Sequence, residues 1–172
     1  MREPTVTDLD FPLAAFSRKG QMLEGRFDLM LENRLDEVWT ALTDSAQLPK
    51  WLAPGAIEPH VGGRAKIDFQ DSGVAIDSRV AAFDPPRVLE YSWSSPGQPL
   101  RPIRFELEPI GAATRLELNV RVPADEDIGR ACAGWAAHLE MLIAALAGAS
   151  APFPLGLFKA ARELYTEETS RL

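Results

Sequence analysis

The sequence predicts an α+β fold in which a curved antiparallel sheet of about six strands wraps around one long late helix. Three observations carry this. Six segments between Met22 and Arg121 alternate apolar and polar side chains, the period of half-buried strands. Two short helical patterns, Val38-Trp39-Thr40-Ala41-Leu42-Thr43-Asp44 and Lys50-Trp51-Leu52, follow the first of these segments. Gly134-Trp135-Ala136-Ala137-His138-Leu139-Glu140 opens the strongest helical stripe in the chain, after the last strand.

Residues 1–22 read as an N-terminal arm, punctuated by Pro4, Pro12 and Gly20, with Phe11, Leu13 and Phe16 as anchors. The body spans residues 23–148. In the first strand Phe27, Leu29 and Leu31 alternate with Arg26, Asp28 and Met30. Asn33 is placed to cap the first helix, whose apolar side is Leu35, Val38, Trp39 and Leu42. Asp44 or Ser45 caps a second helix, kept short by Pro49 and ended by Pro54-Gly55.

Ala65, Ile67 and Phe69 form one face of the second strand. Asp71-Ser72-Gly73 is a hairpin turn. In the third strand Val74, Ile76, Ser78, Val80 and Ala82 share a face opposite Asp77 and Arg79. Asp84-Pro85-Pro86-Arg87 turns into a strand carrying Leu89, Tyr91 and Trp93. Ile103, Phe105 and Leu107, then Leu116, Leu118 and Val120, form a hairpin with one dry and one charged face. On the charged face Arg79, Arg104 and Arg115 are placed to pair with Glu106 and Glu117 across strands. The dry face needs a cover. The long helix over residues 128–147 supplies it, with Trp135, His138, Leu139, Leu142, Ile143 and Leu146 as its stripe. Gly148 stops it. Residues 149–172 are a loop and helical extension whose buried side is Phe158, Ala161, Leu164 and Tyr165.

Composition narrows the function. A net charge of −7 argues against a nucleic-acid binder, because phosphate neutralisation needs a basic surface. No segment is long and apolar enough for membrane insertion. The first residues lack the basic start and apolar run of a secretory signal, so the expected setting is the cytoplasm. Cys132 is the single cysteine, which excludes an intrachain disulfide and a cysteine-based zinc cluster. Its expected role is a small buried helix side chain. No metal-ligand spacing, glycine-rich phosphate loop or nucleophile elbow is present, and no cofactor is expected.

A curved sheet cannot touch one straight helix along its whole length, so space is left between them unless large side chains fill it. Phe69, Tyr91, Trp93, Phe105 and Trp135 either line such a space or fill it as core. Apolar walls with a few polar tips are what a small-molecule pocket requires.

Several motifs in order resemble a known family. Val38 to Asp44 followed by Trp51 and Gly62-Gly63-Arg64, the segment Asp84 to Trp93, Arg104-Phe105-Glu106-Leu107-Glu108-Pro109 with Thr114-Arg115-Leu116, and Gly134-Trp135 with His138-Leu139 and Gly148 resemble the heat-shock protein 90 ATPase activator-homologue family of the START/polyketide-cyclase (SRPBCC) superfamily. The resemblance covers about residues 23–148. It implies a helix-grip fold with an internal cavity for lipids, polyketides or other apolar molecules. It also implies cyclase, hydrolase and co-chaperone alternatives. The chain departs from the pattern at Ala82, where an acidic residue is common, and at Ser78, where glycine is common.

The candidate ligand-binding set is Trp51, Phe69, Ile76, Val80, Tyr91, Trp93, Phe105, Trp135, His138, Leu139 and Leu142. His138 is its one titratable group near neutral pH, able to hydrogen-bond a ligand or act as acid or base, or simply to be satisfied within the core. Trp51 is expected at the cavity mouth or closing the core, Trp39 in the scaffold. The expected partner is a small apolar ligand, with a homodimer through the outer sheet face or the tail as an alternative interaction.

Overall fold

A computed structural model describes residues 11–69 and 74–172. The expected hairpin turn at 71–73 lies outside them.

The chain forms β1 (Ala15–Lys19), β2 (Met22–Leu31), α1 (Leu35–Thr43), a 3-10 turn at Leu48–Lys50, β3 (Gly55–Ile57), β4 (Arg64–Phe69), β5 (Val74–Asp84), β6 (Val88–Ser92), β7 (Pro102–Ile110), β8 (Ala113–Pro123), α2 (Ile128–Leu146) and α3 (Leu155–Thr169). All pairings are antiparallel, in the order β1-β2-β8-β7-β6-β5-β4-β3. This is the expected α+β helix-grip architecture, with eight strands where about six were expected. The two additions are the edge strands β1 and β3.

Alternation decides the two faces. Cross-strand rows such as Leu89, Phe105 and Leu118, and Tyr91, Ile103 and Val120, point inward and are buried. The opposite face is charged. Glu106 lies directly opposite Glu117, a repulsive juxtaposition relieved because Arg104 takes Glu106 at 2.6 Å and Arg26 takes Glu117 at 3.0 Å. Arg115 bonds Asp28 across β2–β8 (Nε to Oδ1 2.9 Å), a partner outside the expected Glu106 and Glu117. Arg79 has no ion pair among the described residues. Such exposed pairs contribute about 0–1 kcal/mol each and mainly set register.

One bulge changes the expected phase of β5. The register slips between Val80 and Ala82, so Val80 stays opposite Tyr91 while Ala82 falls opposite Glu90. Ala82 therefore sits on the charged face, against the alternation reading, and Phe83 turns inward to meet Trp39 edge-on at 5.5 Å. That contact places Trp39 in the scaffold, as expected.

α2 closes the dry face with Cys132, Ala133, Trp135, Ala136, Leu139 and Leu142, all buried. Asp127 caps it by accepting from the Arg130 amide at 3.0 Å. Gly148, at φ 78°, ends it, with Ala149 N–H donating back to the Ala144 carbonyl at 2.9 Å. Asn33 does not cap α1. Arg34 holds that position without a side-chain bond, while Asn33 Nδ2 donates to the Leu146 carbonyl at 3.0 Å and ties α1 to the end of α2.

The segment leading into β1 meets α3 at Tyr165. Its hydroxyl donates to the Pro12 carbonyl at 2.9 Å and accepts from the Ala14 amide at 3.2 Å, and Phe16 meets its ring at 5.0 Å. Phe11 and Phe16 act as anchors, but Leu13 is exposed and its neighbours Pro12 and Ala14 are buried instead. α3 lies close on α2 because Gly129 has no side chain: a Cβ there would stand 3.3 Å from the Tyr165 carbonyl.

Candidate functional site

The space left beside α2 is a groove of about 870 Å³, within the range of small-molecule pockets. Its floor is Phe69 and Ile76 from β4 and β5 with Trp93 just past β6. Its wall is Ala131, Gly134, Trp135 and His138 on α2, and its outer rim is Phe153 and Phe158. Arg130, Gly134 and His138 recur every four residues, so one face of α2 runs along the groove for about 12 Å at 1.5 Å per residue.

Aromatic rings meet in sequence along it. Phe105 meets Trp135 at 6.0 Å between ring centres, Trp135 meets Trp93 at 4.8 Å, and Trp93 meets Phe69 at 5.8 Å. Phe69 meets His138 at 5.8 Å, His138 meets Phe153 at 5.5 Å, and Phe153 meets Phe158 at 5.8 Å. Most of these contacts are edge-to-face, the favoured geometry for aromatic quadrupoles.

The polar end is self-satisfied. Arg101 forks onto Glu126 at 2.6 and 3.1 Å and reaches Gln98 at 3.2 Å. At the other end His138 Nδ1 lies 3.0 Å from the Trp51 carbonyl. A carbonyl only accepts, so Nδ1 carries the proton. Burial among these rings lowers the His138 pKa below its usual value, offset in part by that hydrogen bond. The imidazole is therefore neutral at pH 7.

Of the sequence-derived set, Phe69, Ile76, Trp93, Trp135 and His138 come together in the groove. Val80, Tyr91, Phe105, Leu139 and Leu142 are buried in the core instead. Trp51 is buried too, its indole N–H donating to the Ala41 carbonyl at 2.7 Å; it reaches the site only through the carbonyl that holds His138. Phe153, Phe158, Val122 and Arg101 are groove residues that the sequence reading did not select. Cys132 lies outside the groove, against Gly25 of β2, and burial pushes its thiol pKa well up, so it stays protonated. Among the described residues no group of three or more His, Cys, Asp or Glu side chains is placed to hold a metal ion.

Tyr91 has one anomaly. Its hydroxyl is enclosed and has no hydrogen-bond partner among the described residues. An unpaired buried hydroxyl costs about 1–3 kcal/mol. Tyr91→Phe should therefore raise stability by about 1 kcal/mol in chemical denaturation, and a loss of stability would show that the hydroxyl is satisfied.

The activator of Hsp90 ATPase homolog 1-like family model matches residues 33–147, from the foot of α1 through all of α2. The chain belongs to that family. Its helix-grip architecture is that of the START/polyketide-cyclase superfamily. This AHSA1-like chain is similar in fold to EF2215, a conserved protein of unknown function from Enterococcus faecalis (TM-score 0.78, 20% identity, 92% of this chain and 91% of that one). It is equally similar to CalU16 from Micromonospora echinospora (0.77, 21%, 91% and 96%). The Aha1 dimer from Colwellia psychrerythraea shares the fold over 72% of this chain and 95% of that one (0.62, 22%). No curated protein matches in sequence. The family match ends at residue 147, so Phe153 and Phe158 come from outside the matched region. No described helix is long and apolar enough to cross a membrane.

Proposed function

We propose that the protein binds a small, largely apolar, ring-bearing molecule in the groove between the sheet and α2. The observation that carries this reading is the continuous aromatic lining from Trp135 and Trp93 through Phe69 and His138 to Phe153 and Phe158. Similarity to CalU16, and to DynU16 of the dynemicin biosynthetic locus at 25% identity over 70% of this chain, supports a ligand of polyketide or aromatic type. Burying apolar surface contributes roughly 25 cal/mol per Å², from which the costs of association are subtracted. A cyclase- or hydrolase-type reaction has less support, because no carboxylate is hydrogen-bonded to His138; its one described hydrogen bond is to a backbone carbonyl. The dimeric Aha1 relative supports a homodimer as a second arrangement, for which the edge strand β1 and the charged outer face offer surfaces among the described residues.

N-phenyl-1-naphthylamine, an uncharged fluorescent probe, should bind saturably with one molecule per chain and gain intensity. Fluorescence that rises without saturation, or does not rise, would overturn the groove as a ligand site.

A further inference from the structure

We infer that His138 selects ligands that present an uncharged hydrogen-bond donor, such as a hydroxyl on an aromatic ring, to its Nε2. This rests on the groove being the ligand site and adds what the ligand must carry.

The donor and acceptor roles on the imidazole follow from its contacts. Nδ1 is committed to the Trp51 carbonyl at 3.0 Å and must carry the proton. In the neutral ring Nε2 then holds a lone pair and can only accept. No described group bonds Nε2. Tyr91 Oη is the one enclosed side-chain polar atom without a partner among the described residues; Nε2 also lacks one and is therefore not fully enclosed, and the ring that carries it lines the groove.

What surrounds the ring keeps it in that state. Phe69 faces it from β4, Trp135 from its own helix and Phe153 from the segment before α3, at 5.8, 6.2 and 5.5 Å between ring centres. None of these can supply a counter-charge for an imidazolium. The charged groups of the groove, Arg101, Glu126, Asp127 and Arg130, belong to its other end; Arg130 is two helical turns away, about 12 Å along α2. A carboxylate at Nε2 would meet a lone pair and be repelled. A methyl ether would leave the acceptor unpaired. A ring hydroxyl or ring N–H would satisfy it while its flat body lies among the aromatic faces.

The test uses three probes of one shape, 2-naphthol, 2-methoxynaphthalene and 2-naphthoate, each displacing N-phenyl-1-naphthylamine at pH 7.5, where the naphthol is uncharged. Wild-type protein should bind 2-naphthol about tenfold more tightly than 2-methoxynaphthalene, the worth of one neutral hydrogen bond, and the naphthoate least. His138→Phe should bind 2-methoxynaphthalene at least as well as wild type and lose the preference for the hydroxyl. Equal wild-type affinity for naphthol and ether overturns the role of His138 while leaving the groove as a ligand site. A preference that survives in His138→Phe overturns it as well. If none of the naphthalenes binds, the groove reading falls and this inference with it. The wild-type protein gives an independent reading should the variant fail to fold. Its His138 Nε2 resonance should be that of an unprotonated nitrogen and shift with 2-naphthol but not with the ether; a protonated Nε2 overturns the proposal.

Discussion

Trp135→Ala should lower stability by about 3–5 kcal/mol and abolish probe binding. Trp135 is the point where core and groove meet. It is 4% exposed, yet it lines the groove, with Trp93 at 4.8 Å on one side and Phe105 at 6.0 Å on the other. Truncation removes the shared partner of both rings and opens a cavity between α2 and the sheet that neighbours pinned by backbone pairing fill only in part. For a chain of this length the melting temperature should fall by roughly 10 °C or more. A fall of only about 2 °C in thermal unfolding would show that Trp135 packs loosely and that α2 is held elsewhere.

Gly25→Ala is expected to cost about 1–3 kcal/mol, in the range of overpacked cores, although alanine suits a strand no worse than glycine. A Cβ at Gly25 of β2 would stand 2.2 Å from Cys132 Sγ and 3.3 Å from the Phe16 ring. The cysteine is fully buried, so the sulfur has little room to swing away. Cys132→Ala removes that sulfur, and the double substitution should recover most of the loss. This is the non-additivity that a direct contact produces. Denaturation of the two single variants and the double variant measures it; simple addition of the two losses would contradict the contact.

The sequence was most legible where one element repeats one demand. α2 presents Trp135, Leu139 and Leu142 to a single face, and the Leu116-Leu118-Val120 row of β8 alternates cleanly, so periodicity alone recovers both. β1 was not legible because Ala15–Lys19 offers Phe16 as its one large apolar residue, and that residue's partner is Tyr165, far along the chain. β3 is three residues long, too short for a pattern to repeat. The β5 bulge inserts one residue and reverses every later side chain, which is why Ala82 changed faces and Phe83 came inward.

The site was half legible for a related reason. Alternation tells which face a residue occupies but not how far α2 stands from it. Tyr91 and Trp93 share a face, yet Tyr91 is enclosed in the core and Trp93 lines the groove. Phe153 was missed because it lies in a proline-flanked loop, where no period exists to mark it. The role of Trp51 depended on the direction of its carbonyl, which side-chain chemistry does not encode.

If the groove beside α2, and not another surface, receives the ligand, the tryptophans will report it. The chain carries four tryptophans, and their indole N–H signals divide the molecule. Trp93 and Trp135 line the groove, whereas Trp39 packs on Phe83 and Trp51 donates to the Ala41 carbonyl. In a titration with 2-naphthol followed by nitrogen–proton correlation spectra, the Trp93 and Trp135 indole signals should move together and saturate, while the Trp39 signal stays in place. Saturating shifts at Trp39 with Trp93 and Trp135 unmoved would place the ligand elsewhere and rule out the groove as its site.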